Sequence, residues 1–162
     1  MRKHTLIATA LATAAAGLGV AGLAAADVIT CTAGGTCRGT QGPDELTGTA
    51  VDDNIVAKKG DDSVAALEGN DVVNSGRGDD TVDGDEGDDT LKGKKGADTL
   101  DGDLGSDVIY AKGDGKKGGI DTVACGEDPG GADIDVVSVD KNDVLVTPAD
   151  CETVKRPGKP AP

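Results

Sequence analysis

An aspartate recurs at every ninth residue between residues 39 and 110. This segment divides into eight consecutive units of nine residues, with no residue gained or lost. Carboxylate oxygens are ligands that hard cations such as Ca²⁺ prefer. Carboxylates stacked at a fixed spacing would repel one another strongly without cations between them. The spacing therefore indicates a column of cation sites, and its candidate ligands are the sixth residues of the units: Asp44, Asp53, Asp62, Asp71, Asp80, Asp89, Asp98 and Asp107.

The residues before each aspartate are typical of turns. Places one to six of the units are rich in Gly, Asp and Asn, and the fourth place is Gly in every unit except the second, which has Val51. A glycine turn can direct several backbone carbonyls at one centre, and the aspartate adds charge. Many surface loops contain one such turn, so it is the strict repetition that indicates a metal.

Places seven to nine predict a short strand. They mostly read polar–aliphatic–polar, which is the period of a strand with one buried face. A turn and a strand of nine residues cannot bury their aliphatic side chain alone, but stacked copies can, which predicts a solenoid. The eighth place is always a branched aliphatic residue: Leu46, Ile55, Val64, Val73, Val82, Leu91, Leu100 and Ile109.

The units resemble the nonapeptide G-G-x-G-x-D-x-U-x of the repeats-in-toxin (RTX, haemolysin-type) calcium-binding family. The unit GDEGDDTLK at 84–92 matches this pattern closely, and the resemblance extends loosely to Asp121 and Val123 in a last, degenerate turn. It implies an all-β fold, a right-handed parallel β-roll, with several Ca²⁺ ions. Each ion would lie between the turns of repeats n and n+2. The implied pairs are Asp44 with Asp62, Asp53 with Asp71, Asp62 with Asp80, Asp71 with Asp89, Asp80 with Asp98, and Asp89 with Asp107; Asp121 is the further candidate.

The first two repeats depart most from that pattern. Val51 replaces the fourth glycine of repeat 2, and Pro43 occupies the fifth place of repeat 1. A β-branched residue is costly wherever φ must be positive. We therefore expect these repeats to bind weakly or to act as an N-terminal cap, and the best sites to run from Asp62 to Asp107. Gly76 is the only glycine at the second place of a unit, where the family pattern has glycine throughout.

The N-terminus has the pattern of a signal peptide. A basic start, an apolar run and small residues ending in Ala26 predict cleavage after Ala26 and a secreted protein. A membrane anchor is the alternative, but Gly and Ala dilute the apolar run. The expected divisions are a signal peptide over 1–26, an N-terminal cap over 27–38, the calcium-binding roll over 39–123, a small C-terminal β cap over 124–154, outside the repeat register, and a disordered tail over 155–162.

Four cysteines in an exported chain predict disulfides. Three pairings are possible. We expect Cys31–Cys37 at the start of the array and Cys125–Cys151 tying the C-terminal cap to the last turn. A zinc site is the alternative, but it requires all four residues to meet although the two pairs lie far apart in the sequence.

The composition of the chain argues against several classes of function. The chain has 30 acidic and 16 basic residues, a net charge of −14, which disfavours nucleic acid and anionic membranes as partners. The absence of Phe and Trp suggests a thin core, so that without calcium the repeats are expected to be a disordered acidic tract. The single histidine, His4, falls in the signal peptide, and we expect no enzyme activity.

These features predict a secreted protein that folds on binding calcium. One alternative is a cell-envelope or adhesive module that uses the rigidified roll as a scaffold. Another is a partner-binding protein or inhibitor that uses residues 124–154 as its binding surface.

Overall fold

The computed structural model describes residues 26–113, 119–126, 134–146 and 151–156. Most of the expected signal peptide, part of the loop after the eighth repeat and the last six residues lie outside this range. The described residues form strands and no helix. The strands are β1 (Asp27–Thr30), β2 (Thr36–Arg38), β3 (Asp44–Thr47), β4 (Asn54–Val56), β5 (Ser63–Ala65), β6 (Val72–Arg77), β7 (Thr81–Asp83), β8 (Thr90–Lys95), β9 (Thr99–Asp101), β10 (Val108–Ala111), β11 (Thr122–Ala124), β12 (Val136–Val139), β13 (Val144–Leu145) and β14 (Thr153–Lys155).

The strands build a two-sheet parallel solenoid, as the sequence predicts. Odd-numbered strands pair in chain order in one sheet, and even-numbered strands do so in the other. Two successive repeats therefore make one coil, with a turn at each of the two edges between the sheets. Within the array, each residue pairs with the residue eighteen positions further on, so equivalent places of alternate repeats lie side by side.

The core consists of two files of aliphatic side chains. In one sheet Leu46, Val64 and Val82 are successive neighbours, and in the other Ile55, Val73 and Leu91 are. All eight of the predicted eighth-place residues are buried, with at most 2% of their surface exposed. Small first-place residues such as Ala57 and Ala66 complete the filling. The strand pattern of the sequence thus identified the buried face correctly.

The fourth-place glycines explain the tight turns of repeats 3 to 8. Gly78 has φ 129°, and a Cβ there would overlap the backbone carbonyl of Gly60 in the preceding coil. Only glycine adopts this conformation without strain. In repeats 1 and 2 the backbone differs, because neither Gly42 nor Val51 has a positive φ. The expected strain at Val51 is therefore absent.

The segments expected to be caps extend the same two sheets. At the N-terminus, β1 and β2 pair in parallel with β3 and β4. At the C-terminus, β12 pairs with β10 and β13 with β11, so strands of the expected cap extend both sheets. The nine-residue register is lost there as expected, because the paired residues are 28 and 22 positions apart instead of 18. Pairing of β14 with β12 reaches Lys155, one residue beyond the expected end of the cap.

Both expected disulfides are present. Cys31 bonds to Cys37 with a Cα–Cα distance of 5.1 Å, and Cys125 bonds to Cys151 with a distance of 5.5 Å. The first closes the turn between β1 and β2. The second joins the residue after β11 to the segment before β14, so it links two of the last coils. These bonds use all four cysteines of the chain.

No helix among the described residues is long and apolar enough to cross a membrane.

Candidate metal centre

Two columns of buried carboxylates run along the edges of the solenoid. The odd column contains the sixth-place residues of the odd-numbered repeats and their successors: Asp44, Asp62, Asp80, Asp98, Asp121 and Asp143. The even column contains Asp53, Asp71, Asp89, Asp107 and Asp135 and ends at Glu152. Each of these aspartates exposes at most 6% of its surface. All nine sequence-predicted candidate ligands therefore lie in the columns.

Hydrogen bonds from the backbone hold each column in register. The N–H of Asp62 donates to Oδ1 of Asp80 at 2.9 Å, and the N–H of Asp71 donates to Oδ1 of Asp89 at 2.7 Å. The same bond joins every neighbouring pair along both columns, from Asp44 to Asp143 and from Asp53 to Glu152. The pairs that the family resemblance implies are thus direct neighbours.

The second carboxylate oxygen is buried without a hydrogen bond. This holds for Oδ2 of Asp62, Asp71, Asp89 and Asp107. A buried polar atom that lacks a partner costs about 1–3 kcal/mol, and more when it carries charge. A row of such atoms therefore calls for a ligand that supplies positive charge, and a hard cation meets this need.

Small residues keep space beside these oxygens. A Cβ on Gly84 would stand 2.5 Å from Oδ2 of Asp89, and a Cβ on Gly102 would overlap Oδ2 of Asp107. Both glycines occupy the first place of their repeats, ahead of the aspartate in question. Glycine at these two positions leaves the unpartnered oxygen accessible to an ion, so the residues present fit a bound cation.

Burial raises the pKa of these carboxyl groups. Desolvation is the main cause, and the neighbouring carboxylates of the same column add to it. The pKa rises to about 6 for Asp62 and Asp71, to about 7 for Asp89 and to about 8 for Asp107. A cation between the carboxylates would oppose both causes, because it favours the ionised form.

In the first two repeats a threonine donates extra hydrogen bonds to the column aspartate, although Oδ1 of Asp53 stays buried without a partner. The N–H and hydroxyl of Thr40 both donate to the carboxylate of Asp44, at 2.5 and 3.0 Å. The N–H and hydroxyl of Thr49 do the same to Oδ2 of Asp53, at 2.6 and 2.8 Å. These bonds compete with a cation, which supports the prediction that repeats 1 and 2 bind weakly or serve as a cap.

The sequence analysis missed a second ladder, formed by the fifth-place side chains. Oδ1 of Asp79 accepts the N–H of Ala97 at 2.8 Å, and Oδ1 of Asn70 accepts that of Asp88 at 2.9 Å. Here the side chain of one coil binds the backbone of the next coil, opposite in direction to the sixth-place bonds. The frequency of Asp and Asn at the fifth place was the available signal.

Three column members were also missed: Asp135, Asp143 and Glu152. Each stands two residues before a strand aliphatic, Val137, Leu145 or Val154, which is the spacing of the sixth and eighth places. The nine-residue period hides them because the stacked residues of these coils are 28, 22 and 17 positions apart instead of 18. The stacked pair Asp107 and Asp135, for example, is 28 residues apart instead of 18.

Comparison with known proteins agrees with this geometry. A family model described as the RTX calcium-binding nonapeptide repeat, in four copies, matches residues 47–82 and again residues 83–115. Among the curated proteins and the solved structures, none matches the chain.

Proposed function

We propose that this chain, whose repeats belong to the RTX calcium-binding nonapeptide family, is a secreted protein whose β-roll folds as Ca²⁺ ions bind between successive coils. The observation that carries the proposal is the row of buried carboxylates with unpartnered oxygens. Ca²⁺ takes six to eight oxygen ligands, from carboxylates and backbone carbonyls, and both kinds line the edges.

The candidate ligands are the stacked aspartates from Asp62 to Asp107, with carbonyls of the glycine turns beside them. Asp121, Asp135 and Asp143 extend the columns and are further candidates. Asp44 and Asp53 are weaker ones, because Thr40 and Thr49 already donate to them.

Coupling of folding to calcium follows from the charge of the columns. In the calcium-free fold, like charges lie one coil apart, about 4.8 Å, in a buried setting. The two files of aliphatic side chains bury too little apolar surface to offset much of the repulsion between these carboxylates. A cation that binds only the folded state stabilises that state by mass action. Calcium is therefore expected to shift the chain from disordered to folded.

The two disulfides support secretion, because such bonds persist mainly in oxidising compartments. The apolar N-terminal segment is consistent with this. A role in binding, rather than catalysis, is proposed because the only imidazole of the sequence is that of His4, within the expected signal peptide.

Circular dichroism tests the proposal directly. The secreted chain should shift from a disordered to a β-rich spectrum when millimolar Ca²⁺ is added, and a chelator should reverse the shift. The same titration with Mg²⁺ provides a control, because Mg²⁺ requires near-ideal octahedral geometry and dehydrates reluctantly. Identical spectra with and without Ca²⁺ would refute coupled folding.

A further inference from the structure

The two edges of the roll carry opposite charges in the second and third places of the turns. In repeats 3, 5 and 7 these places form a basic edge, bordering a groove of about 460 Å³. In repeats 4, 6 and 8 they form an acidic edge. The charged residues of the basic edge are Lys58, Lys59, Arg77, Lys94 and Lys95, and those of the acidic edge are Glu68, Asp85, Glu86 and Asp103.

Like charges are stacked in register along each edge. Arg77 and Lys95 are paired residues of β6 and β8, and Glu68 and Glu86 are paired in a parallel bridge. Neighbouring strands lie about 4.8 Å apart, and like charges directly opposite each other destabilise a sheet. Among the described residues, no carboxylate forms an ion pair with Arg77 or Lys95. The exposed carboxylates of Asp61 and Asp79 lie in the turns of the same repeats, at the fifth place, where they accept backbone hydrogen bonds.

Charged side chains also occupy strained backbone positions. Lys58 and Lys94 have φ 86° and 83°, and Asp85 and Asp103 have φ 64° and 60°. All four stand at the second place, where the family pattern has glycine. Residues held in such conformations cost free energy, and strain of this kind is typical of functional positions. Leu67, at the second place of repeat 4, has φ 75°, so the conformation belongs to the turn, and the charge is what these four side chains add to it.

We infer that the basic edge of one copy binds the acidic edge of a second copy, so that calcium-loaded rolls associate side by side. Both ladders belong to the same solenoid and so have the same rise per coil. A second copy consequently matches the charges over several coils, whereas an unrelated polyanion would match that spacing only by chance. Because the edges lie on opposite sides of the roll, the contact is heterologous and open-ended.

This inference rests on the proposed function. The chain carries a net charge of −14, so copies without calcium repel each other. Each bound Ca²⁺ adds two positive charges and lowers this repulsion, while the stacked pairs Arg77–Lys95 and Glu68–Glu86, which belong to neither carboxylate column, keep their signs. Association should therefore require calcium and weaken at high salt.

Sedimentation velocity of the secreted chain in Ca²⁺ provides the test. We expect dimers or larger assemblies at low ionic strength and monomers at about 1 M NaCl, where the Debye length falls to about 3 Å. Arg77→Glu with Lys95→Glu reverses the charge of the stacked pair on the basic edge, and Glu68→Lys with Glu86→Lys reverses that of the stacked pair on the acidic edge. Each double variant alone should stay monomeric, and an equimolar mixture of the two should associate again.

A matched control separates edge contacts from net charge. Arg38→Glu with Lys141→Glu makes the same change of charge at two exposed sites outside the stacked pairs, and this variant should associate more than the Arg77/Lys95 variant. Circular dichroism in Ca²⁺ shows that each variant is folded.

Three results would overturn the inference: a monomeric wild type at low salt despite a complete calcium transition, edge variants that associate like the wild type, or a mixture that stays monomeric. The first of these leaves the proposed function intact, whereas failure of the calcium transition refutes that function. If the monomeric wild type instead binds polyphosphate through Arg77 and Lys95, the partner is a polyanion and not a second copy.

Discussion

The backbone N–H of Asp71 donates to Oδ1 of Asp89 one coil further on, and Oδ2 of Asp89 is left buried without a partner. One oxygen of the carboxylate thus fixes the stacking of coils, while the other remains available to a cation. Asp71 and Asp107 have the same arrangement, so in this column one oxygen serves the fold and the other is left for metal binding.

Removal of a column carboxylate should weaken calcium binding. Asp80→Ala and Asp89→Ala each delete a candidate ligand, and we expect the calcium midpoint of folding to rise about tenfold, equivalent to ~1.4 kcal/mol. Glu45→Ala is the matched control, because it removes an exposed carboxylate that lies in neither column. An equal shift in the control would show that overall charge, and not ligation, sets the midpoint.

Loss of the column aspartate should weaken calcium binding less in the first two repeats than in the middle ones. Thr49 already donates to Asp53, so Asp53→Ala should raise the calcium midpoint by less than Asp89→Ala does. Isothermal titration calorimetry should show the same number of bound ions in Asp44→Ala as in the wild type. Loss of an ion in that variant would place a full site in repeat 1.

The calcium-free fold should lose stability as pH rises. The folded-state pKa is about 7 for Asp89 and about 8 for Asp107, raised from 3.8 by desolvation. Between pH 4 and 8 the folded state therefore binds more protons than the unfolded state, and stability declines with pH. In chelator, residual β-structure should be greater at pH 5 than at pH 8.

Calcium competes with these protons, so the calcium midpoint should be lower at pH 8 than at pH 6. Asp89→Asn with Asp107→Asn should flatten the pH dependence measured in chelator. A calcium-free fold that gains β-structure as pH rises would contradict the assignment.

The fourth-place glycine should be required only where φ is positive. Gly78→Ala forces a Cβ against the carbonyl of Gly60 at φ 129°, and should cost about 1–3 kcal/mol from the backbone conformation alone. Gly42→Ala, at the same place in repeat 1, should cost much less, because its φ is not positive. Thermal unfolding in excess Ca²⁺ compares the two, and equal losses would refute the difference in turn conformation.

The fifth-place ladder should depend on an acceptor and not on charge. Asp79→Asn keeps an oxygen for the N–H of Ala97, as Asn70 does natively for Asp88, and should be close to neutral. Asp79→Ala removes the acceptor and should cost about 1 kcal/mol. Thermal unfolding in excess Ca²⁺ measures both variants. If they are equally destabilised, the side chain acts through its charge.

The sequence predicted the elements of this protein well because its signals are local. The eighth-place aliphatics identified the core, as at Leu91, and the repeat pattern identified the turns and the candidate ligands. Both disulfides were predicted because exported cysteines are expected to pair. These inferences depend on spacing within one or two repeats, where the chain is covalently constrained.

Only the tertiary structure showed which residues meet across coils where the nine-residue period breaks down. The N–H of Asp107 donates to Asp135, 28 residues further on, at 2.8 Å, and the N–H of Asp89 donates to Asp107, 18 residues further on, at 2.9 Å. A fixed period in the sequence cannot follow such changes of spacing, so residues 124–154 were expected to form a cap outside the repeat register. The fifth-place ladder and the opposite charges of the two edges were also recognised only from the stacked coils. Nine-residue spacing determines what each repeat contains, and stacking of the coils decides which atoms become neighbours.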